Sequence, residues 1–181
     1  MAVATQPFTG TYELDRNHST FQFAVDHLTV STFRASFADI DARLTAADGA
    51  IELEGAAGAE SVSIVDPAFR DHVVLGADFF DADAHPRITF RSTEVELSDD
   101  GAATVSGELT IRGVTLPVTA RGAFRPPTQD PFGTYRTGFE LQATVDRRSW
   151  GMNWQAPLPD GNEALGWKVE ITVYLELVKS D

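Results

Sequence analysis

In the segment WKVEITVYLEL, Trp167, Val169, Ile171, Val173, Leu175 and Leu177 fall on every second position, with Lys168, Glu170, Thr172, Tyr174 and Glu176 between them. A period of two is the repeat of an extended strand, whose side chains point alternately to opposite faces, and no helix gathers those six on one side. Such a strand buries one face and wets the other. The pattern returns in YRTGFELQATVD, with Tyr135, Phe139, Leu141, Ala143 and Val145 in one phase, and in TVSGELTI, where Val105, Gly107, Leu109 and Ile111 alternate with polar residues. It returns near the N-terminus in STFQFAVDHLTV, where the row Phe21, Phe23, Val25 ends in His27. A histidine closing an apolar row asks for an explanation.

Turn signals separate these strands. ADG at 47–49, SDDG at 98–101 and RGVT at 112–115 suit tight hairpins. RPPTQDPFG, residues 125–133, carries three prolines and predicts a long surface loop, because proline cannot donate to a ladder. One region breaks the period. Asp66 followed by Pro67 reads as an N-cap with proline in the first turn, and Phe69 and Val73 then share a face, so a short helix is expected over 67–75. Asp78 is expected to cap a further turn that Pro86 ends. Many amphipathic antiparallel strands with one helical insert predict an all-β fold, a closed eight-stranded antiparallel barrel, since closure removes the exposed edges. An interior of that size is either filled by side chains or holds one slender ligand. The expected organisation is an N-terminal tail, 1–10, and a single domain, 11–181.

Composition excludes several functions. A net charge of −13 and a pI near 4.6 speak against nucleic-acid binding and against attraction to anionic membranes. Without cysteine there is no disulfide or thiolate site. No apolar run approaches a membrane span, and MAVATQPFTGTYELD does not read as a secretory signal, so no stable membrane insertion and a cytoplasmic location are expected. His18, His27, His72 and His85 show no ligand spacing, and no phosphate loop, dinucleotide fingerprint or nucleophile elbow is present, so neither a metal nor a cofactor is expected.

Taken in order, YELDRNHSTFQFAVDHLTVSTFRASF, SVSIVDPAFRDHVVLGADFFDADAHPRITFRS, GELTIRGVTLPV and DRRSWGMNWQAPL followed by GWKVEITVYLEL resemble the YceI family of bacterial polyisoprenoid-binding proteins. Asp15, His18, Ser19, Phe21 and His27 fall on its N-terminal motif. Arg70 and Asp71, then Phe79, Phe80 and Pro86, fall on the helical insert. Gly107, Leu109, Thr110 and Gly113 match a hairpin, and Arg147 and Gly151 a C-terminal motif. Two departures stand out: Ala35 before Ser36 and Phe37 where many members have glycine, and Val65–Asp66 in place of a common Asp–Thr pair. The resemblance implies a lipocalin-like barrel with an elongated apolar lumen that holds a long-chain isoprenoid or fatty amphiphile, often in a homodimer.

On that implication the expected lumen residues are Phe21, Phe23, Val25 and His27; Phe33 and Phe37; Phe79 and Phe80 of the insert; Phe90; Leu109 and Ile111; Phe139, Leu141 and Ala143; Trp150 and Trp154; and Trp167, Val169 and Ile171. His27 and Arg147 are the head-group candidates, with an Arg147 pairing to Asp71 or Asp15 as the structural alternative. Arg148 is a further partner for a phosphate or polar ring. The expected function is carriage or storage of the lipid without catalysis; the alternative is an enzyme acting on such a lipid, with His27 as acid or base.

Overall fold

A computed structural model describes residues 9–180. Its strands are β1 (Gly10–Leu14), β2 (Thr20–His27), β3 (Ser31–Phe37), β4 (Ile40–Ala47), β5 (Ala50–Gly58), β6 (Arg87–Leu97), β7 (Ala102–Ile111), β8 (Val114–Gln129), β9 (Tyr135–Asp146) and β10 (Leu165–Lys179), with one helix, α1 (Pro67–Leu75). Neighbours pair antiparallel in the order β1-β4-β5-β6-β7-β8-β9-β10, and β10 pairs back to β1, so eight strands close a ring. The β2–β3 hairpin extends it: β2 follows β1 along the same side of β10, and β3 continues into β4 past a break at residues 38–39. The result is the expected eight-stranded antiparallel barrel, with two of its long strands each interrupted once.

The interruptions open one end. Beyond Phe37 the wall between β3 and β6 has no ladder, and the insert 59–86 occupies the gap. It is anchored by a bridge of Phe37 to Val62, by Ser63 N–H donating to the Ser36 carbonyl, and by Ala59 N–H donating to the Pro86 carbonyl. The helix falls where the Asp-Pro pair places it, with an Asp66 Oδ1 accepting from Phe69 N–H at 2.8 Å. Asp78 accepts no hydrogen bond among the described residues; the chain turns there on backbone bonds, Phe79 N–H to Gly76 and Ala82 N–H to Val74. Gly76 is required at that bend, because a Cβ would run into the His72 carbonyl oxygen.

The opposite end is a packed floor of Tyr12, Leu44, Leu53, Val105, Phe124, Phe139 and Leu177, all buried. Alternation along the strands puts the connections 28–30, 59–86, 112–113 and 147–164 at the open end and the turns 48–49, 98–101 and 130–134 at the closed one.

The predicted loop 125–133 is a strand for most of its length. β8 runs to Gln129, and Pro126 and Pro127 sit where its register against β9 shifts between Arg125 and Thr128, a bulge that removes the need for their missing donors. Only 130–134 turns, held by Asp130, whose Oδ1 accepts from Phe132 N–H and Thr134 N–H. Of the expected tail 1–10, residues 1–8 lie outside the described residues, and Gly10 already belongs to β1.

Candidate functional site

Inside the ring lies an apolar cavity of about 420 Å³, within the range of about 300–1,000 Å³ typical of ligand sites. Ala42, Leu53, Val105 and Leu175 line its lower part with Phe21 and Phe90. Its walls are the inward rows the period of two sets out: Leu109 and Ile111 on β7, Leu141, Ala143 and Val145 on β9, Val169, Ile171 and Val173 on β10. Small residues on several strands, Gly55, Ala57, Ala120 and Ala143, leave the space that larger side chains would fill.

Aromatic rings build the upper part. Phe23 contacts Phe33, Phe37 and Phe80 at centroid distances of 6.1, 5.7 and 6.1 Å, so the insert's Phe80 is locked into the hairpin wall. Phe69 of α1 meets Phe33 edge-on at 5.6 Å. On the other side Phe79 stacks on Trp154 at 5.6 Å, and the His72 ring stands edge-on to both. Thus α1 spans from β3 to the 147–164 connection with Phe69, His72 and Val73, spaced i, i+3, i+4, turned to the cavity.

All but two of the residues expected in the lumen line the cavity: Phe21, Phe23, Val25, His27, Phe33, Phe37, Phe79, Phe80, Phe90, Leu109, Ile111, Leu141, Ala143, Trp150, Trp154, Val169 and Ile171. Phe139 does not; it is buried against Phe124 at 5.1 Å in the floor. Trp167 does not either. The register of β10 against β2 slips between Leu165 and Val169, which takes Trp167 out of the inward row, and its ring lies under the guanidinium groups of Arg147 at 4.2 Å and Arg148 at 4.8 Å. Sequence reasoning missed His72, Val73, Met152, Leu165 and the small residues Gly55, Ala57 and Ala120. The helical spacing of 69 and 73 was the available signal for the inward face of α1.

Titratable side chains meet the cavity near its open end. His27, on the last residue of β2, lines it and makes no side-chain hydrogen bond among the described residues. Arg147 is only 4% exposed. It pairs with neither Asp71 nor Asp15. Its Nε donates to the Gly166 carbonyl at 2.8 Å, Nη1 to Met152 at 2.5 Å, and Nη2 to Trp154 and Leu165 at 2.8 and 3.2 Å. Burial holds its pKa below the usual arginine value. The carboxylates of Asp146 and Glu163 act on it from nearby and oppose that lowering. Arg148 points away, bound to Asp146, whose carboxyl that contact lowers to about 2.

A second polar group lies outside the lumen, at the break between β1 and β2. Asp15, His18 and Glu176 converge within 4.8 Å. Arg136 already answers their charge, with Nη1 at 2.8 Å from Asp15 and 2.7 Å from Glu176, and Nε at 2.9 Å from Asp130. Ser19 seals the same break, its Oγ accepting from Glu176 N–H at 3.0 Å.

A sequence model of the YceI-like domain matches residues 12–177. The chain belongs to the YceI-like family. Among its relatives, a UPF0312 protein of Pseudomonas aeruginosa is 32% identical over 153 residues, covering 82% of this chain and 80% of that one. A UPF0312 protein of Ectopseudomonas mendocina is 31% identical over 147 residues, 79% and 77% of the two chains. The YceI-like barrel recurs in BcnA of Burkholderia cenocepacia, with a TM-score of 0.72 and 20% identity over 90% of this chain and 98% of that one. It recurs in a polyisoprenoid binding domain from Saccharophagus degradans implicated in plant cell wall breakdown, at 0.69 and 15%, over 93% and 98%.

Proposed function

We propose that this protein carries or stores a long-chain isoprenoid or comparable amphiphile, with the tail in the lumen and the polar head at the open end beside His27 and Arg147. The observation that carries the reading is the gradient along the cavity: aliphatic and aromatic from its floor upward, with His27, His72 and Arg147 lining it near the open end. Membership in the YceI-like family, and the polyisoprenoid binding named for the Saccharophagus domain, support the same ligand class.

Apolar burial is sufficient to drive such binding. A tail of about forty carbons, at about 0.3 kcal/mol per heavy atom, contributes about 12 kcal/mol, equivalent to a Kd on the order of nanomolar. The head group then sets orientation and selectivity: an imidazole edge can donate or accept, and a guanidinium favours an oxygen-rich or anionic group. The test is titration of a polyprenyl amphiphile followed by tryptophan fluorescence, since Trp150 and Trp154 line the cavity. A saturable change is expected in the wild type and its loss in Ala143→Trp, which places an indole in the wall. Equal affinity in a folded Ala143→Trp protein refutes this use of the lumen.

A further inference from the structure

The open end of the barrel carries exposed apolar side chains, of which all but Phe69 lie outside the cavity lining. Of the nine large hydrophobic residues exposed among the described residues, six belong to this end and its insert: Leu28 and Val30 on the β2–β3 turn, Val65, Phe69 and Leu75 on and before α1, and Val114 beside the β7–β8 turn. Val65 is 97% exposed and Val30 79%, and neither lines the cavity. The β2–β3 turn holds its tip at a backbone cost. Leu28 and Thr29 take left-handed angles, φ 54° and 60°, where Asn-Gly would do so freely. Leu28 is 38% exposed there, with its N–H donating to the Ala164 carbonyl, and Val30 beside it stands almost free.

The charge around these side chains selects what they meet. The open-end connections carry Glu60, Asp66, Asp71, Asp78, Asp81, Asp83, Asp160 and Glu163 against Arg70, Arg112, Arg147 and Arg148, an acidic excess concentrated on the insert, where Arg70 is itself engaged by the Glu60 carbonyl. An anionic surface repels such a face. The ammonium groups of ethanolamine and choline lipids, which stand outermost in their layer, complement it. The rim is also continuous with the mouth through which an insoluble tail must pass, since Phe69 belongs to both.

Resting on the carrier reading, we propose that the open end docks on a bilayer surface rich in zwitterionic lipids, with Leu28, Val30 and Val65 seated in the headgroup layer. The tail then moves between bilayer and lumen without crossing water, the step that hydrophobic hydration makes slow. Vesicle co-sedimentation of the full chain tests this, using phosphatidylethanolamine–phosphatidylcholine vesicles beside vesicles enriched in phosphatidylglycerol, with the protein-bound lipid extracted in parallel. Wild type is expected to sediment with the zwitterionic vesicles and less with the anionic ones. Val30→Asp combined with Val65→Asp is expected to weaken that binding about tenfold or more while the lipid content of the protein stays unchanged. Val65→Asp alone, at a side chain with no packing to lose, repeats the direction. Equal sedimentation of wild type and double variant, no sedimentation of a lipid-loaded wild type, or tighter binding to the anionic vesicles overturns the docking proposal and leaves the carrier reading intact. A dimer that the double variant dissociates also overturns it, by assigning the rim to a second copy. A protein that neither contains lipid nor takes any up overturns the carrier reading itself.

Discussion

Arg147 is the side chain on which the upper site depends, because its four carbonyl partners join the 147–164 connection, at Met152 and Trp154, to the start of β10, at Leu165 and Gly166. Arg147→Ala takes this donor from the Gly166, Met152 and Trp154 carbonyls, while Leu165 keeps the Gln155 amide at 2.8 Å, and is expected to cost about 1–3 kcal/mol in denaturant unfolding, with Lys restoring only part because it lacks the planar fork. The Asp15–His18 pair makes a pH prediction. The hydrogen bond from His18, followed by that from Arg136, lowers Asp15 from 3.8 to about 2, and Asp15 in turn raises His18 above 6.5. The depressed carboxyl contributes stability above 3.8 that is lost as pH falls towards 2; the raised imidazole contributes stability below 6.5 that is lost as pH rises through its folded value. Thermal unfolding followed against pH should therefore show a decline on the alkaline side of 6.5 that His18→Gln flattens. An unchanged slope in that variant removes His18 as its source.

At the level of elements, the period of two and the Asp-Pro pair carried most of the fold into view. Strands β7, β9 and β10 and helix α1 lie where their patterns place them, because a two-residue repeat and an N-cap are local signals. Trp167 and the 125–133 segment were illegible for one shared reason. A bulge is a property of the partner strand's register, and nothing in a single strand's sequence announces it. The partners of Arg147 were hidden too, since main-chain carbonyls bring no side-chain pattern to find. Asp66→Ala removes the cap of α1 and should cost about 1 kcal/mol, with faster amide exchange confined to 67–75 as its signature. Gly107→Ala places a Cβ 2.5 Å from the Phe90 ring and against the Arg91 carbonyl. Overpacking there should cost about 1–3 kcal/mol and disturb the lower lumen, which a calorimetric melt and a lipid titration of the same variant separate.

In the whole molecule, a ring broken at one end gives access to the lumen. Closure of eight strands removes the free edges at the packed end, while the breaks in two long strands open the other end and bring in an insert with its own aromatic face. The lumen so formed is apolar along its length, and the groups able to meet a polar head lie near its mouth. Native mass spectrometry of the protein purified from its own source, followed by organic extraction of what it carries, tests that account most directly. The account predicts one long-chain prenyl or acyl amphiphile per chain, released by solvent and identified by its mass. An apo mass that stays unchanged after incubation with prenyl lipids would contradict it.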